Sequence, residues 1–197
     1  GPIHYFISQL AKQLNLWVIA GTISLKTQGP KVKTSCLVFD NEGLTVARYD
    51  KIHLFNVQVS AQEVYNEGAA IERGNELVVV STPVGKIGLT ICYDLRFPEL
   101  HQQLVFQGAE IITVPSAFTQ LTGEAHWEVL LRARAIENLA FVLAPGQWGQ
   151  HENGRETFGH SMAIDPWGRI IAQKQTGIGL VLADIDLSQL KQIRKTF

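Results

Sequence analysis

The sequence predicts an α/β domain in which mixed β-sheets are covered by helices. Strand-like and helix-like patterns alternate through the middle of the chain, which is typical of sheets packed against helices. Hairpin patterns before and after this middle part predict antiparallel strands as well as parallel ones. Hydrophobic residues make up 46% of the 197 residues and charged residues 18%, which is a globular composition, so we assign residues 1–197 to a single domain.

The N-terminal part of the chain is predicted to form a helix, three strands and a long loop. Apolar side chains recur at helical spacing over residues 3–14, which predicts an amphipathic helix that ends near Asn15. Residues 40–43, with the sequence DNEG, are typical of a hairpin turn. Residues 50–76 show no sustained period and are predicted to be a loop, and loops of this length inside compact domains are usually functional. The predicted strands are residues 16–25, 34–39 and 44–49.

The C-terminal part is predicted to alternate strands with helices before a last hairpin. Gly108 is expected to end the first of these helices, because glycine readily adopts the left-handed conformation found at helix ends. The turn DPWG at residues 165–168 joins the two strands of the hairpin. The predicted strands are residues 77–81, 86–91, 110–114, 139–144, 159–164, 169–173 and 180–185, and the predicted helices are residues 98–107, 126–138 and 188–195.

Cys92 is the candidate nucleophile because of its position between a buried strand and a turn. It follows the apolar, β-branched run at residues 87–91, so its side chain is predicted to lie at the rim of a sheet, near backbone N–H groups that can face an oxyanion. A lone cysteine is more often a small buried hydrophobe, and this is the role we assign to Cys36 in strand 34–39. The residues after Cys92, beginning with Tyr93, are too polar to continue a core strand, so we predict a reactive thiol.

Composition argues against several classes of function. The net charge is −1, so the chain offers no strong field that would attract nucleic acid or an anionic membrane surface. No apolar run approaches the roughly 18 residues that span a bilayer, and the first residues lack the pattern of a signal peptide. The two cysteines form neither a disulfide framework nor a CxxC metal motif, which favours a reduced, cytoplasmic setting without a metal site. No cofactor is expected.

Four long segments of the chain carry motifs of a known enzyme family. Residues 88–100 (GLTICYDLRFPEL) match a nucleophile segment, and residues 49–57 (YDKIHLFNV) match a catalytic-lysine segment. Residues 126–138 (HWEVLLRARAIEN) and 154–170 (GRETFGHSMAIDPWGRI) match two later segments. These four motifs follow one another along the chain in the order that the nitrilase superfamily of carbon–nitrogen hydrolases shows, and by them the chain resembles that superfamily. Within it, the chain looks most similar to the Nit branch, whose amidases act on deaminated glutathione and on related ω-amides of 2-oxo acids.

The resemblance implies a four-layer α-β-β-α sandwich in which two sheets pack face to face. It also implies that the fold is incomplete, since the opening strand, the first helix and the strand with the family's general-base glutamate would precede Gly1. The final helix would continue beyond Phe197. We therefore expect the 197-residue chain by itself to be inactive. The complete protein is expected to be a homodimer that pairs through the helices beginning near Pro98 and His126.

The resemblance also assigns the groups around the thiol. Lys51 matches the family's lysine, a cation that would stabilise the thiolate and the oxyanion, although a lysine at a strand end is by itself usually a solvated charge. Glu67 matches a second glutamate that orients this lysine, and the N–H of Tyr93 would complete the oxyanion site. His53 could instead pair with the cysteine, but we expect it to lie behind the reacting groups.

Substrate contacts are expected from one loop and one arginine. The family's pocket-lining loop is matched by Ser116, Ala117 and Phe118. Arg96 is a candidate for substrate contact, with an ion pair to Asp94 as the alternative. Residues 154–156 are predicted to be the polar lip of a hairpin and are given no role in binding.

The function implied by these residues is Cys-dependent hydrolysis of an amide C–N bond through a thioester intermediate. The substrate would be a small carboxylated or 2-oxo acid amide resembling deaminated glutathione. Two alternatives stay open: a non-catalytic binding or scaffold homologue that lacks the glutamate, and an acyltransferase that uses the same thioester. No residue of the sequence distinguishes deaminated glutathione from a simple ω-amide.

Overall fold

The computed structural model describes residues 1–61 and 63–197 and shows two β-sheets packed between helices. The strands are β1 (Val18–Lys26), β2 (Val32–Phe39), β3 (Thr45–Asp50), β4 (Asn56–Gln58), β5 (Val64–Asn66), β6 (Val79–Thr82), β7 (Gly85–Leu89), β8 (Ile111–Thr113), β9 (Phe141–Ala144), β10 (Trp148–Gln150), β11 (Glu156–Phe158), β12 (Ser161–Ile164) and β13 (Ile170–Lys174). The α-helices are α1 (Pro2–Leu14), α2 (Pro98–Phe106), α3 (Gln120–Asn138) and α4 (Leu187–Thr196). Two short 3-10 turns lie at Glu67–Ala69 and Cys92–Arg96.

The strands form a three-stranded sheet, a six-stranded sheet and two small hairpins. The three-stranded sheet is antiparallel in the order β1-β2-β3. The six-stranded sheet has the order β13-β12-β9-β8-β7-β6, and its central strands β7, β8 and β9 run parallel. The helices α2 and α3 cross between these parallel strands, while the flanking strands β6, β12 and β13 pair antiparallel. The prediction of mixed sheets is confirmed.

Three groups of buried apolar side chains separate the layers of the fold. Helix α1 packs on the outer face of the three-stranded sheet through Ala11 and Phe39. The inner faces of the two sheets meet around side chains such as Tyr49 and Leu89. Helix α3 covers the other face of the six-stranded sheet, with Trp127 buried against it. Because burial of apolar surface is the dominant driving force for folding, these contacts fix the α-β-β-α order of layers. The predicted four-layer sandwich is confirmed.

The ends of α1 and α3 follow local capping rules. Asn15 adopts the left-handed conformation after α1, with a φ of 55°, and its N–H bonds to carbonyls of the last turn, as the predicted helix end requires. Helix α3 begins at Gln120 rather than at residue 126, because the Thr119 side chain caps it by accepting a hydrogen bond from the Thr122 N–H at 3.3 Å. The apolar pattern missed these first residues because most of them are polar or small.

Two segments differ from the sequence prediction. Residues 50–76, predicted to be a loop, contain the β4–β5 hairpin and a 3-10 turn. Residues 180–185, predicted to be a strand, belong to no described strand, and Leu180 and Leu182 are 85% and 83% exposed. Their alternating pattern is strand-like, but a strand also needs a neighbour to bond its backbone groups, and the edge strand β13 pairs only with β12 within the described residues.

Candidate active site

Cys92 lies at a sharp turn between β7 and α2, at the position that the sequence pattern predicts. The residue begins a 3-10 turn and has a φ of 50°, in the left-handed region that a residue with a Cβ rarely adopts. Its N–H donates to the carbonyl of Pro115 at 3.0 Å, which ties the turn to the loop after the next parallel strand. Cys92 is therefore fixed at the carboxyl edge of the parallel strands, where α/β proteins commonly bind their ligands.

Lys51 is a buried cation whose partner is Glu67. Its side chain is 2% exposed, and its Nζ lies 2.6 Å from Glu67 Oε2. The same carboxylate oxygen accepts the N–H of Phe55 at 2.8 Å, so Glu67 is held from two sides. A buried ammonium is costly unless it is paired and hydrogen-bonded, and Glu67 meets this requirement. This is the geometry expected of an orienting glutamate, although the role of Glu67 in catalysis remains a prediction.

Asp94 joins the segment around Lys51 to the turn that begins at Cys92. Its carboxylate is fully buried and accepts hydrogen bonds from the Tyr49 hydroxyl at 2.7 Å and the Ile91 N–H at 2.9 Å. His53 contacts the same carboxylate through its N–H at 3.0 Å and its Nδ1 at 2.8 Å, and it is not among the described residues that line the cavity. Burial and the charge of Asp94 raise the pKa of Tyr49, which keeps the hydroxyl proton in place. Among the described residues Asp94 forms no ion pair with Arg96, so that alternative is wrong.

One cavity of about 470 Å³ contains all of the candidate residues. Those that line it are Cys92, Lys51, Glu67, Tyr93, Arg96, Ser116, Ala117 and Phe118. They come from segments far apart in the sequence, and the packing of the two sheets brings them together. The volume is in the range of pockets that hold small molecules. The predicted residues thus share one site, while the chemical role of each remains a prediction.

Tyr93 provides the candidate oxyanion donor through its backbone. It is the second residue of the 3-10 turn Cys92–Arg96, and N–H groups in a first turn have no partner within that turn. Its ring packs edge-on against Phe55 and Phe97, with centroids 5.0 and 5.5 Å apart, which fixes the residue beside Cys92. A preorganised N–H at such a position can stabilise a negatively charged oxygen.

The loop after β8 forms a fixed wall of the cavity. The Ser116 N–H donates to the carbonyl of Pro145 at 2.9 Å, and the Ser116 carbonyl accepts the N–H of Gln147 at 2.9 Å. The ring of Phe118 packs against Trp127 with the centroids 4.8 Å apart. These backbone bonds and ring contacts hold the loop in place, so a ligand would meet a surface that is already ordered.

The cavity is positively charged. Lys51, Arg96 and Arg155 line it, and Glu67 is the one carboxylate among its described lining residues. Because Glu67 is paired with Lys51, the described lining offers no carboxylate to either arginine. The Arg96 guanidinium lies 5.4 Å from the ring centroid of Phe118 and 5.9 Å from that of Tyr93. These contacts hold its side chain against the wall of the cavity. A cavity of this charge favours a ligand with negative charge.

Arg155 is the charged residue of the described cavity lining that the sequence analysis did not assign to the site. It lies just before β11, in the run 154–156 that was predicted to be a hairpin lip. Its Nη2 donates to the carbonyl of Ala117, and its guanidinium lies 5.3 Å from the ring centroid of Tyr65. Neither partner is near Arg155 in the sequence. The residues around Arg155 are polar and therefore do not indicate that its side chain lies in the cavity.

Cys36 contrasts with Cys92 in its surroundings. Its side chain is fully buried in β2, and burial raises the pKa of the thiol to about 12. The thiol therefore stays protonated at neutral pH, whereas nucleophilic attack requires the thiolate. Cys92 is only partly buried and faces the cavity. Of the two cysteines in the chain, Cys92 is the one in a position to meet a ligand.

Residues 1–61 and 63–197 contain no group of three or more His, Cys, Asp or Glu side chains that could hold a metal ion. None of the helices in this part of the chain is long and apolar enough to cross a lipid bilayer. The described residues bring a partly buried thiol, a paired ammonium and a backbone donor together around one cavity.

Comparison with known proteins shows the family to which the chain belongs. Residues 1–195 match the model of one protein family, carbon-nitrogen hydrolase. A deaminated glutathione amidase from Yersinia enterocolitica is 46% identical over 197 residues, which cover 98% of this chain and 69% of the relative. The deaminated glutathione amidase of Homo sapiens is 46% identical over 193 residues, which cover 95% of this chain and 59% of the relative. The chain thus spans between 59% and 69% of the length of these relatives.

Solved structures share the fold. The crystal structure of the C. elegans NitFhit protein aligns with a TM-score of 0.92 at 40% identity, over 98% of this chain and 47% of that one. The crystal structure of Saccharomyces cerevisiae Nit3, a member of branch 10 of the nitrilase superfamily, aligns with a TM-score of 0.87 at 30% identity, over 98% of this chain and 68% of that one. The layers described above are therefore those of solved proteins of this superfamily.

Proposed function

Because the chain belongs to the carbon–nitrogen hydrolase family, we propose that the full-length protein hydrolyses the C–N bond of a small carboxylated amide, with Cys92 as the nucleophile. One observation carries this proposal: Cys92 and the Lys51–Glu67 pair open on the same positively charged cavity. The thiol and the paired ammonium thus line one cavity, whose volume of about 470 Å³ is that of a small-molecule site.

In the first half of the reaction, the Cys92 thiolate attacks the carbonyl carbon of the amide. The Lys51 ammonium and the Tyr93 N–H stabilise the negative charge that develops on the carbonyl oxygen. The tetrahedral intermediate then collapses as its C–N bond breaks, the departing amine takes up the proton that the Cys92 thiol lost, and the acyl group stays on Cys92 as a thioester. In the second half, water attacks the thioester, releases the acid and restores the thiol.

Glu67 serves to orient Lys51 rather than to transfer protons. Its Oε2 already accepts hydrogen bonds from Lys51 Nζ and from the Phe55 N–H. It is also the one carboxylate among the described residues that line the cavity. Because the one carboxylate among the described lining residues is already engaged with Lys51, we expect the 197-residue chain alone not to turn over amides. A coupled ammonia assay on this chain tests the expectation, and robust turnover would make Glu67 the base.

The substrate class follows from the charge of the cavity. Two arginines line it, and Glu67 is already engaged with Lys51, which favours an amide that carries one or more carboxylates. Relatives that align with nearly the whole chain are named deaminated glutathione amidase, and deaminated glutathione is such an amide. We therefore place the substrate among carboxylated or 2-oxo acid amides of this kind.

A panel of amides tests the proposed function on the full-length protein. Release of cysteinylglycine from deaminated glutathione, and of ammonia from ω-amides of 2-oxo acids, is measured beside neutral amides. We expect turnover of the carboxylated amides, its loss in Cys92→Ala, and its retention in the matched control Cys36→Ala. Failure to hydrolyse any amide, or full activity in Cys92→Ala, would overturn the proposal. Added amines would capture the acyl group if the protein were instead an acyltransferase.

The proposal includes a homodimer that pairs through α2 and α3. Support comes from apolar side chains exposed on these helices, since Phe106 is 80%, Val129 69% and Ile136 48% exposed. Analytical ultracentrifugation of the full-length protein tests this, and a monomer at all concentrations would contradict it. The cytoplasmic setting expected from the cysteines stays a prediction.

A further inference from the structure

The Arg155 side chain combines a fixed position with an unused hydrogen-bond donor. Its Nη2 donates to the carbonyl of Ala117, and its guanidinium lies 5.3 Å from the ring centroid of Tyr65. Its Nε is buried, yet it has no hydrogen-bond partner within residues 1–61 and 63–197. Because the Arg155 side chain lines the cavity, its guanidinium can meet a ligand there, and a small movement toward that ligand would also give the unpaired Nε an acceptor.

The segment that carries Arg155 is anchored to the rest of the site. The His151 N–H donates to the carbonyl of Arg155 at 2.8 Å, and His151 Nε2 lies 2.8 Å from Oγ1 of the buried Thr157. The Phe158 N–H donates to the carbonyl of Phe118 at 3.0 Å. These bonds fix the β10–β11 hairpin against the loop after β8. Arg155 is therefore positioned before a ligand arrives, which reduces the entropy lost on binding.

The other two cations of the cavity wall already have partners. Lys51 Nζ is paired with Glu67 at 2.6 Å. The Arg96 guanidinium lies over aromatic rings, and its Nη2 is 3.3 Å from Nδ1 of His126. Among the described lining residues, Arg155 is thus the cation with a buried donor still free.

We propose that Arg155 determines the specificity of this site by binding a carboxylate of the substrate that is separate from the scissile amide. The inference rests on the proposed function and adds the group that would select anionic amides. A guanidinium suits this task, because its planar N–H groups can donate in parallel to both oxygens of a carboxylate. That carboxylate belongs either to the acyl part or to the amine part of the substrate. The chemistry of recognition is the same, and the experiment separates the two.

The kinetic test compares Arg155→Gln and Arg155→Lys with the control Arg169→Gln, which changes an exposed arginine outside the cavity. Three amides of similar size are used: one with a carboxylate on the acyl part, one with a carboxylate on the amine part, and one that is neutral. We expect Arg155→Gln to lower kcat/KM by roughly 10–100-fold, through KM, for the amide whose carboxylate it binds. Turnover of the neutral amide should fall less than that of the amide whose carboxylate Arg155 binds.

Arg155→Lys should lie between wild type and Arg155→Gln, because an ammonium keeps the charge and loses the planar fork. Arg169→Gln should match wild type on all three amides. The carboxylated amide that is affected identifies the part of the substrate that Arg155 binds. An equal loss on all three amides, or no loss on any, would overturn the inference.

A binding measurement separates this inference from the proposed function. The two expected products of deaminated glutathione, 2-oxoglutarate and cysteinylglycine, are titrated by calorimetry into wild type and Arg155→Gln. We expect the dissociation constant of one of them to rise roughly 10–100-fold in the variant, whether or not the protein turns over amides. Unchanged constants for both products would overturn the role of Arg155. Absence of turnover in wild type would overturn only the proposed function.

Discussion

The Tyr49 hydroxyl donates a hydrogen bond of 2.7 Å to the buried carboxylate of Asp94, across 45 positions of the sequence. Tyr49 belongs to β3, which ends just before Lys51, and Asp94 belongs to the turn that begins at Cys92. This bond therefore links the strand that carries the cation to the turn that carries the thiol. The two residues act as positioning groups for the proposed chemistry.

Replacing Tyr49 with phenylalanine tests this link. Tyr49→Phe removes one donor from a buried carboxylate, so we expect the free energy of unfolding to fall by about 1–2 kcal/mol. We also expect kcat to fall, because the Cys92 turn and Lys51 lose a common anchor. Urea denaturation and steady-state kinetics measure the two effects. The control is Tyr5→Phe, which alters a tyrosine that is 68% exposed, and equal behaviour of the two variants would contradict the prediction.

Lys51→Arg should abolish turnover in the full-length protein while leaving it folded. Arginine keeps the positive charge, but its broad planar fork does not fit the place of a compact ammonium 2.6 Å from Glu67. Circular dichroism checks the fold, and turnover of a carboxylated amide checks the activity. Lys33→Arg, on β2, is the matched control and should stay active. A near-normal kcat in Lys51→Arg would remove Lys51 from the mechanism.

Limited alkylation should modify Cys92 and spare Cys36. Burial raises the pKa of Cys36 to about 12, so its thiol stays protonated, and unreactive, as pH is raised from 7 through 9. Cys92 is partly exposed and lines the cavity. Brief treatment with iodoacetamide followed by peptide mapping measures both sites at each pH. Preferential modification of Cys36 would contradict the assignment of Cys92 as the reactive thiol.

His101 should make the stability of the fold depend on pH. Its ring is buried, its Nδ1 lies 3.0 Å from the carbonyl of Phe97, and burial lowers its pKa from 6.5 to about 4. As pH falls from 6.5 to about 4, His101 binds a proton in the unfolded state before it does so in the native state. The free energy of unfolding therefore falls by up to about 3 kcal/mol over this window. Above that window the residue is neutral in both states and adds no pH dependence.

The matched variant is His101→Asn, which keeps an N–H donor near Phe97 but does not titrate. We expect its free energy of unfolding to fall less than that of wild type between pH 6.5 and 4, the window set by the two pKa values of His101. Urea denaturation at each pH gives both curves. Parallel curves for the two proteins would rule out His101 as the source of the dependence.

Much of the fold and of the site could be predicted from local sequence. The apolar run before Cys92 and the helix pattern after it sufficed to place the thiol at a strand end. Glu67 and the loop beginning at Ser116 were found by their motifs, and they line the same cavity as Cys92. In each case the prediction depends on residues that are close together in the sequence, because periodicity and motifs are patterns of neighbouring residues.

What could not be predicted depends on contacts between distant residues. The Arg155 guanidinium is fixed by Ala117, 38 positions away, so its own neighbourhood gave no sign of it. The sequence alone allows an ion pair between Asp94 and Arg96, but the Asp94 carboxylate is bonded to Tyr49 and His53 instead. Residues 180–185 have an alternating pattern but no neighbouring strand among the described residues to pair with.

The central claim is that Cys92 carries the acyl group of the substrate as a thioester. The direct measurement is to mix the full-length protein with a carboxylated amide, quench it in acid, and locate the added mass by peptide mapping. The account predicts that the acyl mass lies on the peptide that contains Cys92, and that Cys92→Ala acquires none. An acyl group on another residue, or turnover by Cys92→Ala at the wild-type rate, would contradict it.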